Sequence, residues 1–280
     1  MLATSQEEIA ARERFAFGEN WRRFLSIIDE SRIVSAEDSL RRMLEASDLG
    51  GKIFLDIGCG SGLFSLAARR LGARVHSFDY DPQSAACAQE LRRRYFPGDQ
   101  DWRIEEGSVL DAGYLAGLGY FDVVYSWGVL HHTGAMWQAL DNAAGRVAPD
   151  GKLCIAIYND QGAISNRWRT IKRAYNWLPA GLRFLITIPV LAHLNWRSMV
   201  KDLLRGRPFA TWRGAGQDRG MSAWRDLIDW VGGYPFEVAK PEAILDFYLR
   251  RGFRLARLTT CGGSLGCNEY VFVRTAAGKA

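Results

Sequence analysis

Short apolar runs recur along the middle of the chain, and amphipathic helical stretches separate them. The runs predict strands at Phe54–Ile57, Arg74–Phe78, Trp102–Glu106, Phe121–Tyr125 and Leu153–Tyr158. Because strands and helices alternate, the pattern predicts parallel strands with crossover helices on both faces of a sheet. Ligands bind to such sheets beyond the carboxyl ends of the strands, so the loops after the first four strands form the expected binding edge.

The segments on either side of this core show other patterns. Before residue 50, helices are predicted at Ile9–Phe15 and Glu19–Ile28, and a Ser35…Asp38 capping pair predicts the start of a third helix. After Pro241, a helix is predicted at Glu242–Arg250, followed by strands at Phe253–Thr260 and Glu269–Arg274. We therefore divide the chain into a helical cap (1–49), a core (50–160), an insert (161–235) and a C-terminal part (236–280).

The insert has helical spacing and a basic character. One apolar helix face is formed by Ile164, Trp168, Ile171, Tyr175 and Leu178, and we place Arg167, Arg169, Lys172 and Arg173 off it. Further amphipathic stretches are predicted at Leu191–Leu204 and Ser222–Val231.

The loop after the first strand contains three glycines in alternation. Asp56 ends an apolar run, and Gly58, Gly60 and Gly62 follow. Such a loop lets backbone N–H groups and a helix N-terminus approach a ligand closely. A dinucleotide fingerprint needs glycine at the sixth position of its motif, where this chain has Leu63.

A second acid lies at the end of the next strand. Asp79 follows Asp56 by 23 residues, the length of one strand–helix–strand unit. An acid at this place can accept hydrogen bonds from the ribose hydroxyls of a nucleoside, and Tyr80 could lie against an adenine face. A helix cap or turn is the alternative role for Asp79.

In combination with the string from Phe121 to His132 and the turn Ala148–Leu153, these motifs resemble the class I S-adenosylmethionine (SAM) methyltransferases over residues 50–160. The resemblance implies an α/β fold with a Rossmann-like seven-stranded sheet, in which strand seven is antiparallel. It also implies SAM as cofactor and an N-terminal cap over its pocket, with Phe17, Asn20 and Trp21 as cap residues. The predicted cofactor contacts are Asp56, Gly58, Cys59, Gly60, Gly62, Leu63, Asp79, Tyr80, Ser108, Val109, Ser126, Trp127 and Trp21.

Two histidines follow the fourth strand, where the methyl group of SAM is expected to emerge. We predict that His132, or failing that His131, acts as the base that deprotonates a hydroxyl acceptor, because histidine has a pKa near neutrality. A structural role is the alternative for each. Tyr234 and Glu237, at the base of the insert, and Asn268, in the glycine-rich loop between the last two strands, are the predicted substrate contacts.

Composition bounds this interpretation. The chain has 280 residues, 48% of them hydrophobic, which suits one α/β domain with insertions. Its five cysteines form no C-x-x-C pair, so we expect no metal site and a reducing, cytoplasmic location. The apolar run Phe184–Leu194 is too short to span a membrane.

Charge is concentrated in one place. Residues 161–213 carry a net charge of +9, whereas the whole chain carries +5. The insert is therefore a plain helical subdomain, a substrate lid, or a surface that contacts an anionic partner such as a membrane.

Three functions fit these observations. The first is methyl transfer to a small molecule, most simply an oxygen of a sugar, lipid-linked or aromatic metabolite, as the similarity to ubiquinone-biosynthesis O-methyltransferases implies. The second is RNA modification, because the tRNA wobble-uridine modifying enzymes carry a similar string before the histidines. The acidic remainder of the chain argues against nucleic acid as a partner. The third is a SAM-binding protein without catalysis, against which the intact motifs argue.

Overall fold

The computed structural model describes residues 7, 8, 11, 14–18, 21, 25, 28–206, 228 and 230–275, without the side chains of 197–199. Within these residues, seven strands form one sheet in the order β3-β2-β1-β4-β5-β7-β6. The strands are β1 (Ile53–Ile57), β2 (Arg74–Asp79), β3 (Trp102–Glu106), β4 (Phe121–Trp127), β5 (Val147–Tyr158), β6 (Phe253–Thr259) and β7 (Cys267–Arg274).

Eight helices of the described part surround the sheet. They are α1 (Glu30–Leu44), α2 (Leu63–Arg70), α3 (Pro82–Tyr95), α4 (Ala112–Ala116), α5 (Met136–Ala144), α6 (Ala163–Trp177), α7 (Phe184–Leu204) and α8 (Pro241–Leu249). Short 3₁₀ turns lie at Leu130–His132 and Ala180–Leu182. None of the helices in the described ranges combines the length and hydropathy needed to cross a lipid bilayer.

The pairing of the strands confirms the predicted sheet. Strands β1 to β5 pair in parallel, and β7 lies antiparallel between β5 and β6. Two apolar cores cover the two faces of the sheet, one containing Phe54 and Trp102 and the other Leu55 and Phe272. A third cluster joins Phe15, Trp168, Tyr175 and Phe236, so the N-terminal segment and the insert pack against each other.

Two local predictions are corrected. Helix α1 begins at Glu30 and not near Ser35, because Asp29 caps it by accepting a hydrogen bond from the Arg32 N–H. The predicted turn before the fifth strand lies within β5, where Asp150 has a φ of 59°. The predicted helices at 9–15, 19–28 and 222–231 lie mostly outside the described residues.

Helix α6 is present, but its buried face differs from the prediction. Trp168 and Tyr175 are buried as expected, whereas Ile164 is exposed. Lys172, which we placed on the solvated side, is fully buried. Lys172 is four residues after Trp168 and three before Tyr175, so it lies on the same helix face as these two residues. Its ammonium is stabilised by the faces of neighbouring aromatic rings.

Candidate functional site

The glycine loop leaves β1 in a conformation that side chains rarely adopt. Gly58, Gly60 and Gly62 have φ values of 73°, 55° and 81°. The N–H groups of Gly58 and Cys59 both donate to the Phe78 carbonyl at the end of β2, at 2.8 and 3.1 Å. A methyl group on Gly58 would lie 2.4 Å from a methyl group of Val129. The loop is therefore fixed by the next strand, and glycine is required where it passes Val129.

Asp79 lies beside this loop at the carboxyl end of β2. Its carboxylate accepts the Gly60 N–H at 2.9 Å on Oδ2 and the Asp81 N–H at 2.9 Å on Oδ1. Each oxygen retains a second lone pair, so the carboxylate can still accept hydroxyl groups. Burial raises the pKa of Asp79 to about 6, and the two backbone hydrogen bonds oppose this shift. The position and the acceptor capacity fit the predicted role in binding ribose hydroxyls.

Asp56 has a different surrounding from the one predicted. It is 2% exposed and accepts a 2.5 Å hydrogen bond from the Ser65 hydroxyl on α2. Ser65 also contacts the Ser77 hydroxyl at 2.7 Å, and Ser77 accepts the indole N–H of Trp102. Burial raises the pKa of Asp56 to about 7; the Ser65 hydrogen bond lowers this pKa, and the nearby Asp79 raises it. Asp56 is therefore a buried residue that ties β1 to α2 through Ser65, and its contact with the cofactor stays a prediction.

The remaining predicted cofactor contacts divide by exposure. Val109 and Ser126 are buried, and the Ser126 hydroxyl donates to the Ile57 carbonyl at 3.0 Å. Ser108 is half-buried and accepts the Leu110 N–H at 3.1 Å. The residues that lie at the surface of this edge in whole or in part are Leu63, Tyr80, Ser108 and Trp127, whereas Cys59 is buried.

The N-terminal segment lies over this edge of the sheet. The Gly18 N–H donates to Asp81 Oδ2 at 2.9 Å, and a methyl group on Gly60 would meet the Trp21 ring at 2.9 Å. Arg14 lies over the Tyr80 ring at 4.8 Å and donates to the His132 carbonyl at 3.0 Å. Trp21 thus lies next to the glycine loop, and its contact with the cofactor stays a prediction. Asn20, another predicted cap residue, lies outside the described residues.

His132 is held in one tautomer. Its Nδ1 lies 2.6 Å from the Pro235 carbonyl, which can only accept, so Nδ1 carries the proton and Nε2 is an acceptor. The ring packs 5.1 Å from Phe17 and 5.4 Å from Tyr158, centroid to centroid. Burial lowers the pKa of His132 to about 3; the Pro235 hydrogen bond opposes this, and the charges of Lys172 and Arg14 add to it.

His131 is more deeply enclosed. It is fully buried, its ring lies 3.9 Å from the Tyr158 ring, and its Nδ1 accepts the Tyr158 N–H at 3.3 Å. Burial lowers its pKa well below the usual value, and His132 and Lys172 act in the same direction. Both histidines are neutral at physiological pH, so the near-neutral pKa that we expected for the base is wrong for this site.

Lys172 forms the positive centre of an aromatic group behind the histidines. Its ammonium donates to the Trp230 carbonyl and lies 4.3 Å from the Trp230 ring, 4.8 Å from Phe236 and 5.9 Å from Tyr158. We predicted no role for Trp230, Phe236 or Tyr158 from the sequence. A sequence signal existed for Tyr158, which ends β5 at the binding edge, but nothing local marks a lysine that folds into an aromatic cage.

The three predicted substrate contacts have structural partners. Glu237 accepts the Met136 N–H at 3.0 Å and so caps α5; burial raises its pKa. Asn268 is 1% exposed; its Nδ2 donates to Asn159 Oδ1 and its Oδ1 accepts the Cys261 N–H. It therefore holds the glycine-rich loop, and its contact with a substrate stays a prediction. Tyr234 is half-buried, and its carbonyl accepts the Phe15 N–H at 2.9 Å.

Comparison with known sequences identifies the core. Residues 55–153 match the family model described as a methyltransferase domain. A ribosomal protein L11 methyltransferase of Methylococcus capsulatus is 37% identical over 114 residues, 40% of this chain and 36% of that protein. A tRNA U34 carboxymethyltransferase of Klebsiella pneumoniae is 36% identical over 141 residues, 46% of this chain and 40% of that protein. The aligned part therefore spans less than half of these curated relatives.

Comparison with solved structures covers nearly the whole chain. The magnesium protoporphyrin IX methyltransferase of Synechocystis PCC 6803 with bound SAH superposes with a TM-score of 0.54 at 16% identity, over 92% of this chain and 94% of that one. An N-methyltransferase of Bradyrhizobium japonicum WM9 in complex with SAH gives 0.52 at 16% identity, over 93% and 100%. At this identity the likeness concerns the fold alone. The sequence match identifies a methyltransferase domain in residues 55–153, and the structural likeness agrees with the seven-stranded fold of the chain.

Proposed function

We propose that the protein transfers a methyl group from SAM to a weakly acidic oxygen of a small molecule. The observation that carries the proposal is the pairing of the glycine loop with Asp79, whose carboxylate oxygens each keep a free lone pair beside the Gly60 N–H. That arrangement suits the two hydroxyls of a ribose, and the methyltransferase-domain match over residues 55–153 selects SAM among the nucleosides.

The residues at the edge of the sheet fit SAM as the cofactor. Asp79 would accept the ribose hydroxyls, and the open glycine loop would admit the methionine part close to the backbone. Tyr80 and Trp21, on either side of this edge, would shield the bound nucleoside. When bound, SAM supplies an electrophilic methyl group, so the protein has chiefly to orient the acceptor and exclude water.

The state of His132 restricts the acceptor. Its Nε2 is an acceptor and can orient a hydroxyl group, but a conjugate acid with a pKa of about 3 makes it a weak base. A sugar hydroxyl would keep its proton beside such a base. An aromatic or enolic hydroxyl ionises far more readily, and the rings of Phe17 and Tyr158 next to His132 suit a flat apolar acceptor. In the proposed transfer, the acceptor oxygen would form a bond to the methyl carbon as the carbon–sulfur bond breaks, the bonding pair would leave with the thioether product, and the acceptor proton would pass to solvent directly or through Nε2.

The cofactor assignment is tested by calorimetry with SAM. Asp79→Asn removes the ribose carboxylate and should weaken SAM binding by about 30- to 150-fold, corresponding to hydrogen bonds to a charged group worth ~2–3 kcal/mol. Asp122→Asn is the matched control, since Asp122 also accepts a backbone N–H, that of Ile53, but at the opposite edge of the sheet. Equal SAM affinity in all three proteins, at matched melting temperatures, would remove the assignment.

The acceptor is tested separately. The protein is incubated with methyl-labelled SAM and with small-molecule, lipid and RNA fractions of a bacterial extract. We expect label in aromatic small molecules that carry a hydroxyl group. Label in RNA would favour the second candidate, an RNA-modifying activity, which the tRNA U34 carboxymethyltransferase relatives motivate.

A further inference from the structure

Helix α7 is apolar on two sides, and only one of them is packed in the described structure. Thr187 and Val190 are buried, and Val190 joins the aromatic cluster that contains Trp168 and Tyr175. An apolar helix face normally packs against a neighbouring element or a partner. The outer side of α7 therefore has the composition of a contact surface.

The outer side forms one continuous stripe. Leu185, Ile188, Val200 and Leu203 follow helical spacing and are 55%, 54%, 46% and 69% exposed. Ala192 and Trp196 fill the positions between them, and both are exposed. Phe184 and Leu204 extend the stripe at its two ends, and each is more than half exposed. Contiguous exposed apolar surface of this kind marks an interaction site.

Basic side chains accompany the stripe without being part of it. Lys201 is exposed on α7 and Arg205 follows the end of this helix, both about 160–200° around the helix axis from Leu203. Arg173 is exposed on α6. They belong to the segment 161–213 with its net charge of +9, whereas the rest of the chain is net negative. Aromatic and leucine side chains beside lysine and arginine form the pattern of helices that lie in the interface of an anionic bilayer.

We propose that α7 docks the protein onto an anionic lipid surface, with the stripe in the acyl boundary and the basic side chains at the headgroups. The charge decides between this occupant and a second copy of the chain. A symmetric dimer through α7 would bring two strongly positive segments together, whereas an anionic bilayer neutralises them. The proposal concerns binding of the protein to lipid and is independent of the proposed methyl transfer.

The apolar contribution is tested by flotation of the full chain with vesicles. We compare phosphatidylcholine vesicles with vesicles containing about 30% phosphatidylglycerol, at low salt. The triple variant Leu185→Ser, Ile188→Ser, Leu203→Ser should lower the partition coefficient by about tenfold or more, because apolar area drives insertion. The matched control carries Val34→Ser, Leu249→Ser and Leu258→Ser, three exposed aliphatic residues outside the insert, and should bind like the wild type.

The charge contribution is tested in the same assay. Reversal of Arg173, Lys201 and Arg205 to glutamate should abolish the preference for phosphatidylglycerol. The control reverses Arg74, Arg250 and Arg254, which are exposed elsewhere and give the same change in net charge. Binding of the wild type should also weaken as salt rises from 0.1 to 0.5 M, since screening shortens to a few ångströms.

Three outcomes would overturn the proposal. The first is vesicle binding of the wild type that does not exceed the vesicle binding of the serine triple variant. The second is absence of vesicle binding together with a wild-type dimer that the serine triple variant dissociates, which would assign the stripe to a second copy. The third is salt-sensitive binding of tRNA, without vesicle binding, that only the glutamate variant loses. SAM calorimetry on the same variants separates these results from the proposed function, because docking through α7 leaves SAM affinity unchanged.

Discussion

Replacement of Asp56 by asparagine should make the stability of the protein less dependent on pH. Asp56 is buried at the end of β1, and burial raises its pKa in the folded protein to about 7, compared with the ordinary value of 3.8 for an exposed aspartate. The unfolded chain therefore releases this proton near pH 4, whereas the folded protein keeps it until about pH 7. An acid whose pKa is raised on folding stabilises the fold fully only below its unfolded pKa, and this contribution is lost as pH rises.

The size of the effect follows from the width of that window. Each pH unit between the two pKa values is worth about 1.36 kcal/mol, so the free energy of unfolding should fall by ~2–3 kcal/mol between pH 5 and pH 7.5 because of Asp56. Asparagine has no proton to lose and can still accept the Ser65 hydroxyl. Relative to the wild type, Asp56→Asn should therefore gain this amount over the same interval.

The assay is urea unfolding of both proteins at pH 5 and pH 7.5, followed by circular dichroism. The difference between variant and wild type at each pH cancels other groups, including the buried histidines. Ser65→Ala provides the opposite change: the Ser65 hydrogen bond lowers the pKa of Asp56, so its loss should move the window to higher pH. An identical difference at the two pH values would show that Asp56 is already ionised in the folded protein, and the reasoning would fail.

Three further predictions concern the edge of the sheet. Gly58→Ala should destabilise the protein by more than Gly98→Ala, measured by thermal melting: both glycines have φ near 75°, but only at Gly58 does a methyl group meet Val129, at 2.4 Å. His132→Gln should leave the pH profile of kcat/KM unchanged in shape between pH 5 and 8, because burial lowers the pKa of this histidine to about 3. An acidic limb near pH 6.5 that the wild type shows and the variant lacks would contradict the environment described. Glu237→Gln should preserve acceptor KM and melting temperature, since the amide oxygen can still cap α5; a raised KM would instead return Glu237 to the acceptor pocket.

The sequence was sufficient for the features that depend on short-range pattern. The glycine loop and Asp79 at the end of β2 follow from apolar runs that end at turn residues. The prediction that β7 is antiparallel came from the family resemblance, and the pairing of β5 with β7 confirms it. These features need only the periodicity of the backbone and the composition of turns.

The polar side chains whose partners lie far along the chain could not be predicted. A strand buried on both faces gives no periodicity from which to tell which way Asp56 points. Glu237 finds its partner at Met136, 101 residues away, and Asn268 finds one at Asn159, 109 residues away. The prediction for Lys172 was wrong for a different reason. Its helical spacing indicates the buried face, but its charge suggested the solvated one.

The surroundings of His132 are assembled mainly from segments outside the methyltransferase-domain match. His132 lies within residues 55–153, but its ring contacts Phe17 from the N-terminal segment, Pro235 from the end of the insert and Tyr158 from the end of β5. Lys172 of α6 contributes a buried ammonium group, which lies 5.9 Å from the Tyr158 ring. Because these elements set the polarity and the proton affinity of the site, relatives that share only the domain carry little information about the acceptor. If the proposed methyl transfer is correct, acceptor choice therefore depends on the contacts of His132 with Phe17, Tyr158 and Pro235, and variants at Phe17 and Tyr158 should change acceptor choice while SAM binding is retained.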